Sequence, residues 1–447
     1  MIAKTVSESI RLLNMAQEER KVSLEVMSLN EVFKLKLKIP PYQRIYCWKE
    51  KTVTQLLKDL SQIEQTPYCI GNIILQKKQD GDYDIIDGQQ RLVTLTLFAD
   101  IMGLKYNLDL LDQKIESSEA QDYIANNKYV IEQFCKRHSN DYKNKDVLLE
   151  KVLLNVLILE DGSLDLAYTF FSNENSRGAA LTDYDLLKAH HLRFVPIEKQ
   201  QEHLARRWEK MLSLPIPQDS DRKEYEQTLE TYLFRLRKWL NSESWDESER
   251  HRIKKEFEQA AMIEAIPPFC ESFNYIEPIQ GGTHFFEYVD HFIEELQHFK
   301  TNREYEYIHR LKSETHVWLR DAIEALLFAY YLKFGNRYLT EALLLITRHV
   351  SQVRYENKRI HLCTILEHVM DSGIPLRIEH FTSPTFFLAF MLNEVNQMQS
   401  LKYIKETEGS TGRGSDIRER YNNCLSDCFS YINEDELVIP NINYWHK

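Results

Sequence analysis

Apolar and basic residues alternate strictly over residues 33–39: Phe33, Leu35, Leu37 and Ile39 fall on one face, Lys34, Lys36 and Lys38 on the other. A period of two predicts a half-buried strand with a basic outer face, ended by Pro40 and Pro41, which cannot donate to a ladder. The period then changes. Val53, Leu56, Leu57, Leu60 and Ile63 recur at helical spacing and predict an amphipathic helix over 51–65. Two further strands are expected in YCIGNIILQKK (68–78) and YDIIDG (83–88), joined by the turn-like QDGD. After Gly88 the spacing of Leu92, Leu95, Phe98, Ala99 and Met102 again predicts a helix with one apolar stripe. Beyond about residue 107 the chain reads as amphipathic helices, among them VLLEKVLLNVLIL (147–159), WLRDAIEALLFAYYLKF (318–334) and LTEALLLITRHVSQV (339–353). No fixed-period repeat is evident, which argues against a solenoid.

The expected fold class is therefore α+β, a small mixed sheet with helices followed by a large all-helical region. The 447 residues leave room for two or three domains; the division expected is 1–110, 111–260 and 261–447.

Composition narrows the setting. Hydrophobic residues make up 43% and charged residues 28%, ordinary globular values, and no apolar run approaches the roughly 20 residues that span a bilayer. The opening 21 residues are too polar for a secretory signal, so a cytoplasmic protein that makes no membrane contact is expected. The odd count of seven cysteines suits reduced thiols. Cys424 and Cys428 can meet on a helix, but no second pair completes a zinc site. The net charge of −12 repels a polyanion, so any nucleic-acid contact has to come from local basic patches.

Only 13 glycines occur in the chain, yet Gly71, Gly81 and Gly88 crowd into the segment around the third strand. If a strand ends at Ile86 and a helix opens near Gln89, the free amides of its first turn make an anion site suited to phosphate. Arg91 can add a planar charged fork, Asp87 can hold Mg²⁺ or orient a water, and Gln89 and Gln90 can position that water. An equally simple reading makes Asp87 a cap, Gly88 a turn residue and the rest a solvated first turn. In PPYQR, the aromatic, amide and guanidinium groups of Tyr42, Gln43 and Arg44 can stack a base and bind phosphate, or Tyr42 can anchor the core while Arg44 pairs with an acid.

Together, IPPYQRIYCWKE (39–50), YCIGNIIL (68–75) and IIDGQQRLVTL (85–95) resemble the N-terminal domain of the GmrSD-type family of DGQQR-motif proteins. That family includes modification-dependent restriction enzymes and phosphorothioate-sensing defence proteins. The resemblance implies a ParB/sulfiredoxin-like fold and a nucleotide-hydrolysing site carried by Asp87, Gly88, Gln89, Gln90 and Arg91. A second family signature is similar to NENSRG (173–178) and the helix start after it, where Thr182 and Asp185 form a capping box. Asn175, Arg177 and Lys188 can close over phosphate or DNA there, although Lys188 also reads as a surface charge. Many family members continue into a His-Me finger nuclease, of which His380 in RIEHFTSP is only a faint echo. The resemblance thus implies a Mg²⁺-dependent nucleoside triphosphatase subunit of a prokaryotic restriction or phage-defence system, acting with DNA and with a nuclease-bearing partner. The alternative is a non-hydrolysing nucleotide or DNA switch, or a scaffold.

Overall fold

The computed structural model describes residues 22–61, 67–104, 109–113, 115, 117–138, 145–160, 164–174, 181–212, 215–216, 219–243, 245, 252–258, 273–311, 316–357, 359–398, 413–433, 435 and 437–439. The chain divides into two compact units, Met1–Ser213 with Gly281–Thr283, and Leu214–Gln280 with His284–Lys447.

The first unit is built on a five-stranded mixed sheet of order β1-β5-β3-β4-β2. Its strands are β1 (Val22–Ser28), β2 (Leu37–Lys38), β3 (Tyr68–Lys77), β4 (Tyr83–Asp87) and β5 (Val152–Leu159). Pairing is antiparallel for β1 with β5 and β3 with β4, and parallel for β3 with β5 and β2 with β4. Eight of its helices matter for the site: α1 (Leu29–Val32), α2 (Glu50–Ser61), α3 (Gln89–Ile101), α4 (Ser118–Arg137), α5 (Lys145–Lys151), α6 (Leu164–Glu174), α7 (Asp183–Leu192) and α8 (Glu198–Leu212). Ile73, Leu75, Ile85, Leu154 and Val156 project from one sheet face into a core shared with Val53 and Leu57 of α2, Leu92, Leu95 and Phe98 of α3, and Ile131 of α4. Each such side chain, fully buried, contributes about 1.5–3 kcal/mol.

Three expectations change. Residues 33–39 are not a strand: Ser28 and Glu31 form a capping box that starts α1, its last turn bonds Phe33 N–H to Leu29 O and Leu35 N–H to Val32 O, and only Leu37–Lys38 joins the sheet. The alternation survives as burial, with Phe33 and Leu37 inside and the lysines outside. Residues 147–159 are not one helix. The chain leaves α5 and becomes β5, which lies between β1 and β3; over its second half, Val156–Leu159, both faces are buried, and such a stretch carries a nearly continuous apolar run that hides its period of two. Finally, α3 has no single stripe, because Gln89, Gln90, Thr94 and Thr96 are buried along with its apolar residues. The sheet's own unit consequently runs well past the expected division at residue 110.

The second unit is largely helical, with one short antiparallel pair, Pro215–Ile216 and Asp219–Lys223. The runs 318–334 and 339–353 are the helices Val317–Phe334 and Leu339–Glu356 as expected. His380 is exposed at the end of the helix Ile374–His380. Burial pushes the Cys428 thiol up to about 12. Among the described residues no helix is long and apolar enough to cross a membrane.

A fragment of residues 1–110 lacks the strand that separates β1 from β3, and is expected to show no cooperative unfolding transition by circular dichroism. A fragment of residues 1–213 should unfold in a single step.

Candidate functional site: the strand-to-helix turn at Gly88

β4 passes into α3 through one residue. Gly88 has φ 91° in the left-handed region, and a Cβ there would lie 2.5 Å from Ile73 Cγ2, so both the backbone and the neighbouring strand demand glycine. The first hydrogen bond of the helix runs from Leu92 N–H to Gly88 O at 2.9 Å. The backbone N–H groups of Gln89, Gln90 and Arg91 make no hydrogen bond among the described residues, and these are the orphan donors that give a helix N-terminus its affinity for anions.

Arg91 folds back over β3. Its Nη1 donates to Asn72 O at 3.0 Å, and its guanidinium lies against Gly71, where a Cβ would come within 3.2 Å of Arg91 Cζ. Gly71 has φ 124° and sits in the irregularity of β3 between Cys69 and Asn72. Burial lowers the Arg91 pKa, against the opposing pull of Asp87. Asp87, half-buried, has its carboxyl raised by burial; the Gly88 N–H and the charges of Arg91 and Arg44 act in the opposite direction.

The glutamines divide. Gln90 is spent on the fold: its Oε1 accepts from Cys47 N–H at 2.8 Å and its Nε2 donates to Ile45 O at 3.0 Å. The water-positioning role expected of Gln90 therefore gives way to holding the 45–47 loop. Gln43 donates from Nε2 to Ile85 O at 2.8 Å and to Ile86 O at 2.7 Å, so its amide also serves the protein. Gln89 differs: it is buried, and its Oε1 has no hydrogen-bond partner among the described residues. It lines a cleft of about 460 Å³ whose walls include Arg44, Gln43, Lys38, Arg206 and Glu209. That volume is in the range of small-molecule sites. Arg44 thus lies on the cleft and close enough to Asp87 to influence its charge, whereas the lining includes neither Asp87 nor Arg91.

Two more expectations are corrected. Tyr42 offers no exposed stacking face; it is 8% exposed and meets Phe171 edge-on at 6.0 Å, and burial raises its hydroxyl pKa well above normal. Lys188 is not a surface charge. It is 2% exposed, donates to Gln43 O and pairs with Glu209 at 3.2 Å. The capping box is present, with Asp185 N–H donating to Thr182 Oγ1 at 3.2 Å and Thr182 N–H to Asp185 Oδ2 at 3.0 Å. Asn175 and Arg177 lie outside the described residues.

Residues 27–192 match the family model of the GmrSD restriction endonuclease N-terminal domain. Over those residues the chain is similar to a GmrSD-type N-terminal domain. Residues 269–406 match a second model, that of a family of unknown function, DUF7834. No curated protein matches the chain.

Within the matched region the sheet brings to Asp87 residues that sequence reasoning missed. Strand register places Leu24, Leu157, Ile74 and Asp87 in one row across four strands, and Val26, Asn155 and Asn72 in the next. Asn155 Nδ2 donates to Asn72 Oδ1 at 3.0 Å. The available signal was Asn155 itself, the one polar residue in the run VLLNVLIL.

Replacing Gln90 by Leu orphans two loop groups and should cost about 1–3 kcal/mol, read as a lower denaturation midpoint. Asp87 supplies a pH signature. Because its folded pKa lies above the unfolded value, the folded state binds the proton more tightly, and stability is lost as pH rises from the unfolded value of about 3.9 through the folded one. Asp87→Asn should remove that part of the slope and unfold at a higher temperature than wild type at pH 7, as measured by calorimetry.

Proposed function

We propose that the chain is a cytoplasmic component of a prokaryotic restriction or phage-defence system, and that its GmrSD-type domain binds and hydrolyses a nucleoside triphosphate. The family match supports the first part. The observation that carries the second is the mouth of α3, where three amides with no hydrogen bond among the described residues sit beside Asp87, Arg91 and Arg44. Such a site works on a phosphoryl group by positioning and charge neutralisation rather than covalent chemistry. The amides grip the phosphates, and Arg91 and Arg44 offset the charge that develops in transfer.

Among the described residues no group of three or more His, Cys, Asp or Glu is placed to hold a metal. Mg²⁺ is commonly bound by one or two carboxylates together with substrate phosphates, and Asp87 fits that donor set. The ion, when bound, would supply neutralisation of phosphate charge. DNA regulates the reaction in this proposal, and strand cleavage is assigned to a nuclease-bearing partner.

One observation favours a second reading. With the Gln43 and Gln90 amides used by the backbone, few polar groups remain to activate water, which suits a switch that binds nucleotide without turnover. Phosphate release from GTP, ATP, CTP and UTP, with Mg²⁺ and with or without DNA, separates the two. Turnover of at least one nucleotide is expected, and Asp87→Ala or Arg91→Ala should abolish it. Binding without release selects the switch, and unchanged turnover in both variants removes the site assignment.

A further inference from the structure

We propose that the Asn72–Asn155 pair reads the base of the nucleotide whose phosphates sit at the mouth of α3. The inference rests on the phosphate site proposed above and adds the element that distinguishes one nucleotide from another.

The two asparagines are adjacent on β3 and β5 and lie on the sheet face opposite the core, in the row next to Asp87. Arg91 bonds to the main-chain carbonyl of Asn72, which side-chain substitutions keep, so the amide pair adjoins the phosphate site without belonging to it. The single bond between them fixes their orientation: with Asn72 Oδ1 accepting from Asn155 Nδ2, the Nδ2 hydrogens of Asn72 and the Oδ1 of Asn155 have no other hydrogen bond among the described residues. The pair thus leaves a donor on Asn72 and an acceptor on Asn155, one on each side of the bond that joins them, and these are polar groups that the edge of a nucleobase can meet. An exposed amide pair could simply be solvated, but its neighbours on β1 are apolar and unusually open. Leu24 is 62% and Val26 63% exposed, and Val26 continues the row of the asparagines. A base edge held by the amides has aliphatic groups beside it. Neither row contains a Lys or Arg, and Arg91 beside Asn72 is a single guanidinium where a DNA backbone calls for several cations. The face suits a single base better than a strand.

Isothermal titration of the full chain with GTP, ATP, CTP, UTP and inorganic tripolyphosphate tests this. Wild type should bind one nucleotide at least about tenfold more tightly than the others and than tripolyphosphate. Asn72→Ala and Asn155→Ala should each lose about tenfold or more for that nucleotide, as expected for a bidentate base contact, with tripolyphosphate affinity unchanged. Thermal unfolding monitors the fold; should Asn155→Ala unfold, the exposed Asn72→Ala decides. Unaltered discrimination in a folded Asn72→Ala variant overturns the proposal. Tripolyphosphate binding as tightly as every nucleotide overturns it while leaving the phosphate site standing, and a wild type that binds neither overturns both.

Discussion

The end of β4 depends on one buried amide. Between Ile74 and Leu75 the β3–β4 register slips, so that Ile86 has no counterpart on β3. Such a bulge leaves backbone groups outside the ladder, and a buried carbonyl without a donor costs about 1–3 kcal/mol. The Gln43 side chain covers the gap by donating to both Ile85 O and Ile86 O, and the main-chain carbonyl of Gln43 accepts from the ammonium of Lys188 on α7. Gln90 ties the following loop to the first turn of α3. The position of Arg44, between Gln43 and that loop, follows from these bonds. The polar residues of the motif therefore build the site as much as they serve it.

That division explains what could and could not be read from the sequence. Gly88 was legible because the need for positive φ is local, as was the Thr182–Asp185 capping box, whose partners lie three residues apart. The fates of Gln43, Gln90 and Lys188 were not, because an amide or ammonium reveals nothing of whether its partner is water or a carbonyl more than forty residues away. Tyr42 and Arg44 are two residues apart, yet one is buried against Phe171 and the other lines a cleft. The fold shows the same contrast. Periodicity found α2, α3, β3 and β4, which keep one distinguishing environment or a clear boundary. It failed on β5, whose second half is buried on both faces and loses alternation, and over 33–39, where a turn reproduces the burial of a strand.

Asp87 stands apart from the structural polar groups. Its carboxyl is buried enough to be held partly against ionisation, and two guanidiniums offset that only in part. A strained titratable group next to unsatisfied amides is uneconomical for a scaffold. Stability given up at one point is common where a protein must meet a ligand.

The central place of β5 also orders events in time. β1 cannot complete its ladder until Leu159 is available to pair with Val22, and at about 5–20 residues per second on the ribosome the emerging N-terminus waits several seconds with an unpaired apolar strand. Ile74 and Leu157 meet only after that wait. The turn at Gly88 is consequently a late product of synthesis, and the nascent chain passes through a sticky stage in which chaperone capture would have most to act on.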